Sequence, residues 1–474
     1  MTDLSMTSAA DLVDGYRDRT ISPVDANQAA LDAIERLDPA VNAFVLVDRD
    51  GALAAAKESE ARWHAGEPLG PGDGVPTSIK DALLTRGWPT LRGSRLIDAS
   101  QDWPDDAPSV ARLRETGAVI LGKTTTPEYS WKGVTDSARF GVTGNPWDPG
   151  RTPGGSSGGS ATAVALGMGA WSLGTDGGGS VRIPAALTGT VALKPTYGLI
   201  PLYPPSPFGT LSHAGPMTRT VRDTAALLDV VSGFDHRDWS AMPTPRTSYL
   251  EGLDDGVAGL RVAYSRTLGF GRNNPEVEAA VDAAVGALAD AGARVDEIDP
   301  GFGDPVDAFN VLWFSGAARV LATYDDVSGV DPGLQRAAEA GRGYSAADYL
   351  DATAVRMDLG LRMGAFHTVY DVLLTPTLPI PAFPTGRDVP DGSPSPDWTG
   401  WTPYTYVFNL TQQPALSVPC GFTGDGLPVG LQIVGPRHAD ALVLRVGQAH
   451  QAATDWHRRR PTLLDPSFKH GGVS

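Results

Sequence analysis

The chain has 474 residues, 41% of them apolar, which is ample for a large core. Its formal net charge of -17 argues against nucleic acid and anionic membrane as partners. No apolar run of transmembrane length occurs, Met1 to Thr20 lacks the basic and apolar regions of a secretory leader, and the lone Cys420 excludes an internal disulfide framework, so a cytoplasmic location is expected.

In chain order, the pattern predicts helices over Ala9 to Arg19, Ser22 to Leu37 and Asp50 to Gly66. Ser22-Pro23 has the form of an N-cap followed by proline in the first turn. Asp73 to Lys80 is turn and then strand, Ala107 to Thr116 helix, and Ala118 to Gly122 strand. Ala161 to Ala170 is predicted as a tightly packed helix, Trp171 to Gly174 as a short strand, Val181 to Leu187 as helix and Thr190 to Lys194 as strand. Helices follow at Val221 to Ser232, Pro275 to Ala291 and Asp440 to Ala453. Strands follow at Arg261 to Tyr264, Arg294 to Ile298, Asp371 to Thr375, Ala415 to Pro419 and Leu427 to Val434. This alternation defines an α/β class with a large mixed β-sheet flanked by helices. One domain over 1–474 is expected, with a helical part at about 1–70 and variable substrate-binding insertions at about 235–260 and 300–400. Phe302 to Leu361 is weakly patterned.

The chemistry concentrates in Gly154 to Ser180, GGSSGGSATAVALGMGAWSLGTDGGGS. Two glycine-rich turns, each carrying serine, bracket an apolar centre that a flexible linker would lack. Glycine turns allow close backbone approach and leave N–H groups free to meet an anion. Lysine supplies a second signal. Only six of the 38 basic residues are Lys: Lys57, Lys80, Lys123, Lys132, Lys194 and Lys469. Arginine stays protonated, whereas a buried lysine can become neutral, so a lysine in an apolar segment asks for a reason.

These motifs resemble those of the amidase signature family, in its stand-alone amidase branch. The resemblance covers most of the chain, through further motifs from about Gly74 to Asp223 and from Leu374 to Gly435. It implies the amidase signature fold and hydrolysis of a carbon–nitrogen bond other than a peptide bond, without metal or organic cofactor. It implies Ser180 as nucleophile, Ser156 as bridging serine following a cis peptide bond, and Lys80 in Gly74-Val75-Pro76-Thr77-Ser78-Ile79-Lys80-Asp81 as base. Ser156 and Ser180 lie 24 residues apart, the family spacing. A serine hydroxyl needs a base, and no histidine lies in a triad motif. A neutral Lys80 would take a proton through Ser156 from Ser180, Ser180 would attack the amide carbonyl, and water would release the acyl-enzyme. Backbone N–H groups of Gly177, Gly178, Gly179 and Ser180 would hold the oxyanion, each donor of this kind contributing about 3–4 kcal/mol.

Ser157, Thr175, Asp176 and Arg182 are supporting candidates, for which turn chemistry and ordinary salt bridging account equally well. Tyr129, Trp131, Tyr203, Phe208, Trp313 and Trp401 are candidates for a substrate pocket, with core packing as the commoner explanation. Such a pocket would suit a small-molecule amide with an apolar or aryl group, and esters or carbamates could share the tetrahedral path.

Other readings remain. Gly117-Ala118-Val119-Ile120-Leu121-Gly122-Lys123-Thr124 fits the phosphate-binding pattern G-x-x-x-x-G-K-[ST], but its four central residues favour a strand over an anion-cradling loop. The transamidase subunit that frees ammonia from glutamine belongs to the same family. It typically has Asp-Thr-Gly-Gly-Ser where this chain has Asp176-Gly177-Gly178-Gly179-Ser180, and Thr402-Pro403-Tyr404-Thr405 lacks an acidic residue for the glutamine amine. A binding-only relative is disfavoured because Lys80, Ser156 and Ser180 are all present.

Overall fold

A computed structural model describes residues 4–393 and 395–464; Lys469 lies outside them. The strands are β1 (Phe44–Val47), β2 (Pro76–Lys80), β3 (Val119–Thr124), β4 (Asp136–Ser137), β5 (Gly141–Val142), β6 (Trp171–Asp176), β7 (Val191–Lys194), β8 (His213–Thr218), β9 (Arg261–Tyr264), β10 (Arg294–Glu297), β11 (Val372–Pro376), β12 (Ala415–Phe422) and β13 (Pro428–Val434). Eleven of them form one sheet in the order β1-β3-β2-β6-β8-β7-β12-β13-β11-β9-β10, and β4 pairs with β5 apart from it. Pairing is parallel for β2 with β3 and β6, and antiparallel for β6 with β8 and β12 with β13. The sheet is therefore mixed.

Strands β2 and β3 are buried along their whole length, so they show continuous apolar or small-residue runs rather than alternation. One core cluster joins helices Val221–Val231, Pro275–Asp290 and Asp440–Ala453 to one side of the sheet. Another gathers helices Arg182–Thr188 and Val306–Leu321 with the aromatic segment Trp398 to Phe408. The helices Pro23–Val41 and Arg49–Ala65 cover the β1–β3 end. Ser22 Oγ accepts from the N–H groups of Val24 (3.0 Å) and Asp25 (3.3 Å), as its capping position predicts. No helix among the described residues is long and apolar enough to cross a membrane.

Two expectations need correction, and the strand reading of the phosphate-loop match is met. The helix expected over Ala161 to Ala170 spans Gly158–Ala165. It ends because Gly167 takes φ +71 against the N-terminal segment, where a Cβ would meet Ser5 O at 2.7 Å. The weakly patterned Phe302 to Leu361 is mostly helical, in Val306–Leu321, Pro332–Gly343 and Ala346–Phe366. Their starts carry cap chemistry: Asp331 before Pro332, and a Ser345/Asp348 capping box. The phosphate-loop match is strand β3. Gly122 is required there because a Cβ would lie 2.0 Å from Leu46 O of β1, and Lys123 is buried in an ion pair with Asp81 at 2.9 Å. No loop remains to cradle a phosphate.

Candidate active site

Strands β2 and β6 run parallel with Ile79 opposite Leu173, so their C-terminal ends bring Lys80 and Thr175 side by side. The turn before helix Gly158–Ala165 brings Ser156 to the same point. Lys80 Nζ lies 2.7 Å from Ser156 Oγ and 2.8 Å from Thr175 Oγ1. The Gly155–Ser156 peptide bond is cis. Ser157 ties the turn to β6: its hydroxyl donates to Thr175 O (3.1 Å) and its N–H donates to Ser180 O (3.0 Å). Its neighbour Ser160 instead meets Thr124 Oγ1 at 2.8 Å, deeper in the core.

Lys80 is fully buried and forms no ion pair among the described residues. Burial pushes its amine well below the ordinary lysine range, and the charge of Asp176 opposes this only in part. The other buried lysines have different surroundings. Lys132 contacts Asp136, Asp331 and Asp388 at 2.6–2.9 Å, and Lys194 donates to the carbonyls of Pro195 and Gln413.

Asp176 and Arg182 are fully buried partners beneath the glycine turn. Arg182 Nε and Nη2 each donate to the carboxylate at 3.0 Å, and the guanidinium also reaches Gln432 Oε1 and Asn409 Oδ1 at 2.7 Å. Burial alone would raise the Asp176 carboxyl, but the Arg182 charge and hydrogen bonds outweigh it and hold the carboxyl below its usual range. Asp176 also accepts from Gly179 N–H at 2.8 Å. That corrects one expectation: Gly179 N–H is committed to the carboxylate, whereas the N–H groups of Gly177, Gly178 and Ser180 have no acceptor among the described residues.

Ser180 is 5% exposed and opens, with Ser156, Thr175 and Gly177, into one cleft. Its hydroxyl makes no hydrogen bond among the described residues. Tyr129, Tyr203, Phe208 and Trp313 line the cleft, and Phe208 stacks on Trp313 with ring centres 3.9 Å apart. Trp131 and Trp401 do not line it. The Trp131 carbonyl accepts from Trp313 Nε1 at 3.0 Å and its ring packs on Gly333, behind the wall. Trp401 packs edge-on to Phe383 at 5.1 Å. The expected insertion at 235–260 contributes no lining residue; the rim is built by Leu202 to Phe208 instead. Arg92, Ser130 and His213 also line the cleft and had no motif to mark them. His213 sits opposite Asp176 in the β6–β8 register, the only signal being its nearness to the signature in sequence.

Comparison with known proteins gives this geometry its class. The chain is 38% identical over 468 residues to an acylamidase of Rhodococcus erythropolis, covering 97% of this chain and 98% of that one. It is 37% identical over 470 residues to the A-type component of the glutamyl-tRNA(Gln) amidotransferase of Chloroflexus aggregans, covering 94% and 95%. Its fold matches a bacterial aryl acylamidase of the amidase signature family with a TM-score of 0.89 at 30% identity, covering 95% of this chain and 97% of that one. The protein is an amide-hydrolysing α/β enzyme. The Amidase family model matches residues 25–444, and the chain belongs to that family.

Proposed function

We propose that the chain is a stand-alone amidase that cleaves a non-peptide carbon–nitrogen bond through an acyl-enzyme on Ser180. The observation that carries this reading is a lysine amine, buried without an ion pair among the described residues, at 2.7 Å from a serine hydroxyl in the cleft. An uncharged Lys80 accepts the Ser156 proton as Ser156 accepts that of Ser180. The Ser180 oxygen bonds to the carbonyl carbon, and the oxyanion meets the N–H groups of Gly177, Gly178 and Ser180. Ser156 gives its proton to the departing amine as the carbon–nitrogen bond breaks and regains one from Lys80, which returns to its neutral form. Water then attacks the ester by the same relay, giving the acid and free Ser180. Rotation of the Ser180 hydroxyl toward Ser156 accompanies substrate entry; such contacts are commonly loose in a free enzyme. Esters and carbamates follow the same path and are proposed as side substrates.

Turnover of an anilide such as acetanilide tests this. Ser180→Ala should abolish it without loss of folding, and Lys80→Arg should lower kcat by about 10²–10⁴-fold, because a guanidinium does not accept the proton. Near-normal rates in either variant would remove that residue from the relay.

The relatedness to A-type components of amidotransferases supports a second reading, glutamine hydrolysis for a partner. Against it, Thr402 and Thr405 are buried, and Thr405 Oγ1 donates to Gly178 O at 2.7 Å. This segment braces the glycine turn, and it has no carboxylate to receive an amine. Glutaminase activity of the isolated chain would favour the second reading.

A further inference from the structure

No carboxylate among the described residues lines the cleft, although the chain carries 55 Asp and Glu against 38 Lys and Arg. Its titratable lining is Arg92, Tyr129, Tyr203 and His213. Burial, reinforced by the neighbouring Lys194, pushes the His213 imidazole well below its ordinary range, so the ring is neutral. Its Nδ1 lies 2.9 Å from Leu211 O and its Nε2 3.5 Å from Lys194 Nζ, which occupies both ring nitrogens. Lys80, behind Ser156, is also held toward its neutral form. Arg92 is left as the fixed charge of the wall.

Arg92 is half-buried, and both its backbone N–H and its carbonyl are hydrogen-bonded. Its N–H donates to Asp81 Oδ2 at 3.0 Å and its carbonyl accepts from Tyr129 N–H at 2.7 Å. Its guanidinium has no hydrogen bond or ion pair among the described residues. The Asp81 carboxylate that could have neutralised it is taken by Lys123 at 2.9 Å. Three non-glycine residues of this wall also hold left-handed backbone: Arg92 (φ 51), Tyr129 (φ 50) and Ser130 (φ 57). Such conformations cost free energy and persist where the surroundings fix them, a recurrent feature of ligand sites.

We propose that Arg92 is a substrate-positioning residue: it anchors a carboxylate carried by the amide substrate, whose aromatic or apolar body lies among Tyr129, Tyr203, Phe208 and Trp313. This rests on the reading of the Ser180 cleft as the place of amide hydrolysis. A guanidinium offers a planar fork of donors that matches a carboxylate, and apolar walls strengthen the attraction by excluding water. The ligand carboxylate provides the acceptor that the protein withholds. In a chain of net charge -17, long-range repulsion disfavours anions, so an anionic substrate needs a local cation of this kind.

The test uses three probe pairs of graded length: benzoate with benzyl alcohol, phenylacetate with 2-phenylethanol, and 3-phenylpropionate with 3-phenylpropanol. Binding is measured by calorimetry in the Ser180→Ala protein, where nothing turns over. In at least one pair the carboxylate should bind tenfold or more tightly than the alcohol. Adding Arg92→Met should reduce that ratio at least tenfold, and Arg92→Lys should restore part of it. Arg92→Gln serves the same comparison if Arg92→Met does not fold. Absence of a carboxylate preference in every pair would overturn the proposal. So would a preference that survives loss of Arg92, as expected if the carboxylate sits on the glycine-turn N–H groups. The hydrolytic reading is tested separately by Ser180→Ala turnover, so either can fail while the other stands.

Discussion

The buried Lys80 amine carries a cost that its hydroxyl neighbours do not remove. Its pKa is depressed in the fold, so between the folded and unfolded pKa values the unfolded chain binds the extra proton. Stability therefore rises with pH toward the ordinary lysine pKa, and the penalty deepens as pH falls, by about 1.4 kcal/mol per unit while the amine stays neutral. Lys80→Met should be inactive yet more stable than the parent at neutral pH, with the gain shrinking as pH approaches 10. Urea unfolding at several pH values checks this; a variant less stable than the parent at every pH would contradict it. Asp176 behaves oppositely. Asp176→Asn removes the counter-charge of the fully buried Arg182, and should cost about 3–5 kcal/mol in the same assay. The catalytic candidates were legible because each sits in a motif of glycine and serine or of strand-end lysine. Arg92 was not, because the role proposed for it rests on a guanidinium without a hydrogen-bond or ion-pair partner among the described residues, and partners are set by tertiary contacts.

At the scale of elements, glycine positions report strand and helix contacts. Gly122→Ala forces a Cβ into Leu46 O of β1, and should destabilise by about 1–3 kcal/mol or more, as overpacking does. A phosphate-binding loop would predict lost nucleotide affinity instead, and thermal unfolding with and without Mg-ATP separates the two. Most strands and the capped helices at Pro23 and Pro275 could be read from their residues, since proline and cap chemistry act locally. Strand β8 was missed because its Gly215 and Pro216 are unfavourable in strands; pairing with β6 and β7 overrides that preference. Helix Val306–Leu321 was missed because it is apolar on several faces, buried among Phe208, Trp398 and Tyr406, so no single stripe marks it. Which aromatics face the cleft was equally illegible. Trp131 lies two residues from Tyr129 but on the far side of the wall.

For the whole molecule, the segment after residue 300 is bound to the scaffold through a charged latch. Lys132 follows the cleft wall directly and contacts carboxylates from three places: Asp136 in the ribbon strand β4, Asp331 at a helix cap, and Asp388 between β11 and Trp398. Burial alone would lower its pKa; the three carboxylates outweigh that and keep it charged. Glu128 adds to the latch by accepting from Asp331 N–H at 2.7 Å. Lys132→Met leaves three carboxylates facing one another. The expected loss is about 2–3 kcal/mol, below that of a fully buried pair because the carboxylates retain some water. It should be accompanied by a raised KM, since Trp313 belongs to the same segment and lines the cleft. Unchanged KM with lost stability would mean that the latch holds the fold but not the wall.

The proposed relay depends on an uncharged amine at position 80 that acts on Ser180 through Ser156. Lysine labelled with ¹³C at Cε gives few signals in a chain with six lysines, and Lys80→Met identifies the one that matters. Its titration is the most direct test. The expected midpoint lies well below the ordinary lysine value and coincides with the acid limb of kcat/KM. An amine that stays protonated through the active pH range would contradict it.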